Sequence, residues 1–532
     1  MTLEQKIGQF FFPAVFINDS EENIQTTEEL IRKYNIGGLT FFHSCASAAT
    51  NYESQKKIEF NDDSYFRLKE LIVRYQKCAS TPLLMSIDAE WGLAMRVEKT
   101  PQYPYAITLG ALPDNKKELV YEVGKQIASD LKSAGILYNL APLADINNNP
   151  NNPVIGYRSF GEDKNKVADF SIEYLRGMSD AGVLGCLKHF PGHGNTNVDS
   201  HLGLPILEEN LEQLLANELY PFIKGIENQV DSIMIGHLAV PALNEGKDTS
   251  ATLSKNIIED LLRKQLAYDG LVISDALNMH SVSKLFDVKG QLEWEAFNAG
   301  NDVLCFAETV PEGIQYILEK ASEERINESF NRIWKCKEKV GLFHPETANN
   351  NVLDFEKTSE LNSQIAQFSI TKVIDTLDFE ILKKENQQQK VAQLSLYKSV
   401  ANDFSKTINA EFKSPQFAIE SVENFDFVAF EKSIAAFDYL LISLFVPKAK
   451  PLHQFEIDEA IFTLLEKLLN TKKCIIYVFG NPYVLPLIPN LSLAARVIQA
   501  YQDFSEFQIN AANQFLLNYE CSGKLPVTID IQ

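Results

Sequence analysis

The chain has 532 residues, 45% apolar and 23% charged, and its 34 Phe, 19 Tyr and 3 Trp exclude a long disordered chain. Lys and Arg number 49 against 71 Asp and Glu, and the resulting charge of −22, with no basic run, excludes nucleic acid as a partner. Collagen-like and coiled-coil arrays do not fit this composition, and the length fits a large barrel followed by a second domain.

The first 345 residues alternate short apolar runs with longer amphipathic segments. The runs are 10–16, 38–42, 83–87, 136–140, 183–187, 232–235, 271–274 and 303–306. They lack strict polar–apolar alternation, which predicts strands buried on both faces. Helices are predicted over 116–133, where Leu119, Val123, Ile127 and Leu131 recur, and over 210–228, where Pro221 can kink or split the helix. Eight βα units in this length predict a closed (β/α)8 TIM barrel, with an open doubly wound sheet as the competitor. No GxGxxG or GxxxxGK[ST] follows a strand, which weakens a nucleotide-binding version.

A charged helix over 323–340 closes the first domain, predicted as 1–345, and the polar stretch around 346–356 reads as a linker. Residues 357–532 are predicted as a smaller α/β sandwich domain with a mainly parallel sheet. Its strands are expected over 390–396, 439–446, 474–479 and 496–500, and its helices over 452–469 and 504–517. The seven cysteines are scattered, with no CxxC pair, so no disulfide framework or zinc knuckle is expected. The apolar run near the start carries Pro13 and lacks a basic flank, so it does not read as a signal peptide. No stretch approaches the roughly 20 apolar residues of a membrane span. The expectation is a soluble, cytoplasmic protein, or a periplasmic or exported one if a signal segment has been removed.

In a barrel of this kind, chemistry gathers at the C-terminal ends of the strands. There the sequence places Asp88, then Asp145 and Arg158 in a long loop, Lys188 with His189, His237, and Asp275. The segment KHFPGHGNTNVDSH, from Lys188 to His201, holds three of the eight histidines. Pro191, Gly192 and Gly194 make it a loop, so His189 and His193 cannot pair on one helical face as metal ligands. Asp199 and His201 are two apart, a spacing at which a carboxylate can orient an imidazole and favour its protonated form. That is what a general acid near neutral pH requires. Asp275 at a strand end could cap a loop, ligate a metal, or act as base or nucleophile. Together with a His–Asp acid it forms a two-component set for cleaving an acetal. Arg96, Arg158, Lys188 and His189 suit a neutral polyhydroxylated ligand, Trp91 could wall it, and His193 and His237 read as structural.

SIDAEWGLAMR from Ser86, NPVIGYRSFGED from Asn152, KHFPGHGNTNVDSH from Lys188 and VISDALNM from Val272 resemble glycoside hydrolase family 3 in order and spacing. The DSH loop narrows the resemblance to the bacterial β-N-acetylglucosaminidase (β-hexosaminidase) branch. The resemblance implies a catalytic barrel, with Asp275 as nucleophile, His201 as acid/base and Asp199 as its partner. It also implies that Asp88, Arg96, Arg158, Lys188 and His189 bind the sugar. The implied reaction is exo-hydrolysis of terminal β-linked N-acetylglucosamine, from peptidoglycan fragments or chito-oligosaccharides, through a covalent glycosyl–aspartate with retention. No metal or organic cofactor is expected. The competing readings are a phosphorylase or β-glucosidase of the same family, and a non-catalytic sugar-binding protein. DAEWG stands where DQEGG is more usual and Asn195 replaces a common acidic residue, so Ala89 and Trp91 bear on pocket shape.

Overall fold

The structure, a computed structural model, describes residues 1–43, 60–196, 203–343 and 352–531. The chain divides into two compact units. The first comprises residues 1–103, 120–159 and 163–358, and the second comprises 104–119, 160–162 and 359–532. The sequence reading assigned 104–119 and 160–162 to the first domain, whereas here they belong to the second unit.

The strands of the first unit are β1 (Phe11–Phe12), β2 (Ala14–Phe16), β3 (Gly38–Phe42), β4 (Leu84–Ile87), β5 (Tyr138–Asn139), β6 (Leu187–Phe190), β7 (Ser232–Ile235), β8 (Leu271–Ser274) and β9 (Leu304–Cys305). β1 and β2 form one barrel position, split at Pro13, which has no N–H to give the ladder. Parallel pairing runs β2–β3–β4–β5 and β6–β7–β8. Parallel bridges Tyr138–Leu184 and Leu143–Lys188 join the β5 region to β6, and Ile273–Val303 joins β8 to the segment entering β9. β9 then pairs with β1, Phe11 opposite Leu304 and Phe12 opposite Cys305, and the ring of eight positions closes. β4, β7 and β8 are buried at every residue, which accounts for their apolar signal, whereas β6, buried throughout as well, carries Lys188 and His189 and begins where the apolar run predicted over 183–187 ends.

Helices fill the crossovers. The helix predicted over 116–133 is observed at Glu118–Ala134, its apolar stripe facing inward. The segment predicted over 210–228 is two helices, Leu211–Ala216 and Tyr220–Glu227. Pro221 sits in the first turn of the second, where its missing N–H costs nothing.

The second unit adds β10 (Thr371–Asp375), β11 (Val391–Leu396), β12 (Gln416–Ile419), β13 (Tyr439–Phe445), β14 (Lys473–Phe479) and β15 (Arg496–Gln499). They form one sheet in the order β10-β15-β14-β13-β11-β12, parallel except for the antiparallel edge strand β10. Alternate residues feed two cores. Leu440, Ile442, Leu444, Ile476 and Val478 pack with Ile461, Leu465 and Leu468 on one face. Tyr439, Leu441, Ile475 and Tyr477 pack with Leu382, Phe404, Ile408 and Phe515 on the other. That period of two, with helices on both faces, is an α/β sandwich. The helix expected over 452–469 is observed only from Glu459 to Thr471. Before it His453, Gln454 and Phe455 turn left-handed, with φ of 49°, 55° and 61°. The predicted linker also loses its last residues to the helix Phe355–Ser369.

Candidate active site

The strand-end residues of the barrel meet in an ionic network. Asp88 follows β4, and the peptide after it is fixed by the buried Asn139 of β5. Asn139 Oδ1 accepts from Ala89 N at 3.0 Å and its Nδ2 donates to Ala89 O at 3.1 Å. This bracket directs Asp88 and Glu90 toward β6. Lys188 Nζ donates to Asp88 Oδ1 and also lies 2.8 Å from Glu90 Oε1. Arg158 grips the same Glu90 with two bonds, Nε to Oε2 at 3.0 Å and Nη2 to Oε1 at 2.7 Å. Arg96 Nη2 stands 3.5 Å from Asp88 Oδ2, and its guanidinium lies 3.8 Å above the Phe42 ring.

Three cations thus face two carboxylates. Burial alone would raise the Glu90 carboxyl, but Arg158 and Lys188 outweigh it and hold that group well below the usual carboxylate range. Burial would likewise strip the Lys188 proton, yet Asp88 and Glu90 more than offset it, so the ammonium persists. Arg96 is shifted down, chiefly by burial.

A second cluster adjoins the first. Asp145 is fully buried. Its Oδ1 accepts from the backbone N–H of His189 at 3.1 Å and of His193 at 2.7 Å, and its Oδ2 accepts from His189 Nδ1 at 2.8 Å. The two rings meet edge to face at 5.9 Å. His193 Nδ1 pairs with Thr196 Oγ1 at 2.7 Å, and burial pushes this imidazole down to about 4, so it stays neutral at physiological pH. Asp275 follows β8, half-buried, and its Oδ1 accepts from Ala276 N at 2.8 Å. His237 braces the same turn, pairing Nε2 with Ala276 O at 2.9 Å and Nδ1 with Thr252 Oγ1 at 2.7 Å, which fits its structural reading.

The structure therefore unites Asp88, Arg96, Arg158 and Lys188, and sets His189 on β6, two strands from Asp275 at the end of β8. Asp199 and His201 lie outside the described residues. Glu90 and Asp145 had no role in the sequence reading. Their only signal was proximity to Asp88 in the chain and a place on the loop after β5. His43 pairs through Nε2 with Glu98 and takes no part in the network. Trp91 packs against Tyr157, ring centres 5.9 Å apart, one residue from Arg158. Among the described residues no group of three or more His, Cys, Asp or Glu is arranged to hold a metal ion, and no helix is long and apolar enough to cross a membrane.

Residues 2–336 match the glycosyl hydrolase family 3 N terminal domain. The chain is 31% identical over 374 residues to the beta-hexosaminidase A of Pseudoalteromonas piscicida, covering 65% of this chain and 60% of that protein. It is 33% identical over 269 residues to the beta-hexosaminidase of Xylella fastidiosa (strain M12), covering 49% of this chain and 78% of that protein. It thus spans about three-fifths of the first relative's length. Among solved structures, a glycoside hydrolase family 3 beta-N-acetylglucosaminidase from Paenibacillus sp. str. FPU-7 superposes with a TM-score of 0.77 at 27% identity, covering 100% of both chains. A match over most of the barrel, with the network seated on the rim where that fold does its chemistry, establishes that the chain belongs to glycosyl hydrolase family 3.

Proposed function

We propose that the protein is a retaining exo-β-N-acetylglucosaminidase acting on terminal β-linked N-acetylglucosamine of peptidoglycan fragments or chito-oligosaccharides. The observation that carries this reading is the ionic network of Asp88, Glu90, Arg96, Arg158 and Lys188 on the same rim as Asp275. Cations already paired with carboxylates hold a neutral polyol by many directed hydrogen bonds. The relatives named beta-hexosaminidase and the Paenibacillus enzyme support the acetamido sugar as substrate.

Asp275 attacks the anomeric carbon while His201, oriented by Asp199, protonates the departing oxygen. Water then opens the glycosyl–Asp275 ester with His201 as base. Asp88, Arg96, Arg158, Lys188 and His189 hold the sugar hydroxyls, and their fixed geometry lets charge develop without reorganisation.

The test is turnover of 4-nitrophenyl β-N-acetylglucosaminide against the matching β-glucoside, each with and without phosphate, beside Asp275→Ala. Preference for the acetamido sugar, loss of more than about 10³-fold in the variant, and indifference to phosphate are expected. Release of sugar 1-phosphate would make the protein a phosphorylase, and binding without turnover would make it a lectin-like protein.

A further inference from the structure

Asp145 has more hydrogen bonds than a loop carboxylate needs. All three go to one stretch of chain, the backbone N–H groups of His189 and His193 on Oδ1 and the imidazole Nδ1 of His189 on Oδ2. Asp145 is 0% exposed and His189 6%, so water does not compete for these bonds. An ionised carboxylate only accepts, so Nδ1 of His189 must carry the hydrogen in that bond. In the neutral imidazole the lone pair is then on Nε2, the atom pointing away from Asp145.

We propose that Asp145 is a positioning residue that fixes His189 as the Nδ1–H tautomer, and that His189 Nε2 thereby acts as an acceptor for one hydroxyl hydrogen of the bound sugar. The assignment of a sugar as ligand rests on the proposed function, but the tautomer does not. It supplies an uncharged acceptor, which the neighbouring charged groups do not. Lys188 and Arg158 only donate, and Asp88 and Glu90, which can accept, already take bonds from those cations. A sugar hydroxyl both donates and accepts. A hydroxyl that accepts from Lys188 or Arg158 needs somewhere to send its own hydrogen, and a neutral acceptor lets it do so without adding charge to the network.

Asp145→Asn isolates this role, because it keeps the shape and changes the polarity of one contact. The amide oxygen remains opposite the two backbone donors. The NH₂ group then faces the ring and donates to Nδ1, forcing the hydrogen onto Nε2. The experiment uses the full-length protein with ¹⁵N-labelled histidine, the His189 signals assigned by their loss in His189→Gln. Expected is an Nδ1–H pattern in the wild type and an Nε2–H pattern in Asp145→Asn. An Nε2–H pattern in the wild type, or an imidazolium with hydrogen on both nitrogens, overturns the proposal, and that single spectrum decides it even if the variant does not fold.

The second readout is kcat/KM on 4-nitrophenyl β-N-acetylglucosaminide and its 3-, 4- and 6-deoxy analogues. Asp145→Asn should lose about 100-fold on the parent sugar while its thermal midpoint stays close to that of the wild type. One deoxy analogue should cost the wild type far more than it costs the variant, because the variant has already lost that contact. Equal costs in both proteins, or an unchanged kcat/KM, overturns the role in binding. A wild type that ignores the acetamido sugar would refute the proposed function and leave the tautomer assignment standing.

Discussion

Glu90→Gln tests the network where it is most tightly built. The Glu90 side chain is 7% exposed and holds three bonds of 2.7–3.0 Å to Arg158 and Lys188. Each unlike pair at about 4 Å contributes roughly 4 kcal/mol at an effective dielectric of about 20, and the cost of desolvating the carboxylate takes back much of the sum. The glutamine amide makes the loss worse than simple neutralisation. Its NH₂ must face at least one donor that has lost an acceptor, leaving Arg96, Arg158 and Lys188 opposed by Asp88 alone. A net loss of about 3–5 kcal/mol in unfolding free energy is expected, as for other buried pairs deprived of one partner. The assay is urea unfolding followed by a probe in the barrel, with kcat/KM measured on whatever remains folded. The pH dependence gives a second check. Because the folded Glu90 carboxyl is held below its ordinary value, its contribution is fully present above the ordinary carboxylate range and is lost as the pH falls through it. The gap between wild type and variant should therefore be constant from about pH 8 to pH 5 and narrow below about pH 4. A variant within about 1 kcal/mol of wild type, with a gap that does not move on acidification, would refute the reasoning.

Two further predictions use buried groups in the first unit. Lys337 is 0% exposed, donates to Gln9 Oε1 at 2.6 Å and to Pro82 O at 2.8 Å, and burial pushes its ammonium down to about 7. Between that value and its ordinary 10.5 the unfolded chain holds one more proton, so stability rises with pH by up to about 1.4 kcal/mol per unit. Lys337→Met should lack that rise, and parallel curves for the two proteins would rule it out. Asp130, 2% exposed, accepts from Tyr103 Oη at 2.7 Å and is pushed up to about 7, chiefly by burial. Here stability falls as the pH rises from 3.8 through 7, so Asp130→Asn should be more stable than wild type at pH 8 by about 2–4 kcal/mol and equal to it near pH 3.5. Thermal or urea unfolding at both pH values checks this, and a variant no more stable at pH 8 contradicts it.

The barrel strands were legible because burial on both faces writes an unbroken apolar run. β4 and β8 stand within a residue of where their runs predict them. Closure was not legible, because the pairing of Phe11 with Leu304 joins the two ends of the first unit and leaves no local pattern. The edge strands β10 and β12 escaped for the opposite reason. They are mostly half-buried or exposed, and Thr371–Asp375 carries only two apolar residues while Gln416–Ile419 is a run of only three. The helix over 452–469 was overextended because its apolar spacing runs through Leu452 and Phe455, where the backbone turns left-handed. Asp88, Arg158 and Lys188 could be singled out as polar residues at strand ends. Glu90 and Asp145 could not be given roles, because what each does is defined by side chains on other strands.

The carboxylates at the two ends of the barrel show how surroundings divide their work. Asp302, just before β9, is fully buried and bound by Arg263 at 2.6 Å, Arg332 at 3.2 Å and Arg325 at 3.3 Å, with Val272 N on Oδ2 at 3.0 Å. Arg325 and Arg332 belong to the helix Glu323–Lys339 and Arg263 to the helical segment Asn256–Gln265. One carboxylate thus ties two helices to a strand, and its acceptor capacity is spent within the protein. At the opposite rim the accounting differs. Glu90 and Asp145 are saturated by protein donors, whereas Asp88 is only half-buried. The side chains of Glu90 and Asp145 are less exposed than that of Asp88, and the bonds they accept hold the cations and the imidazole in place before any ligand arrives. A site arranged in this order binds a sugar with little loss of side-chain freedom, since the rotamers it needs are already set by Glu90 and Asp145.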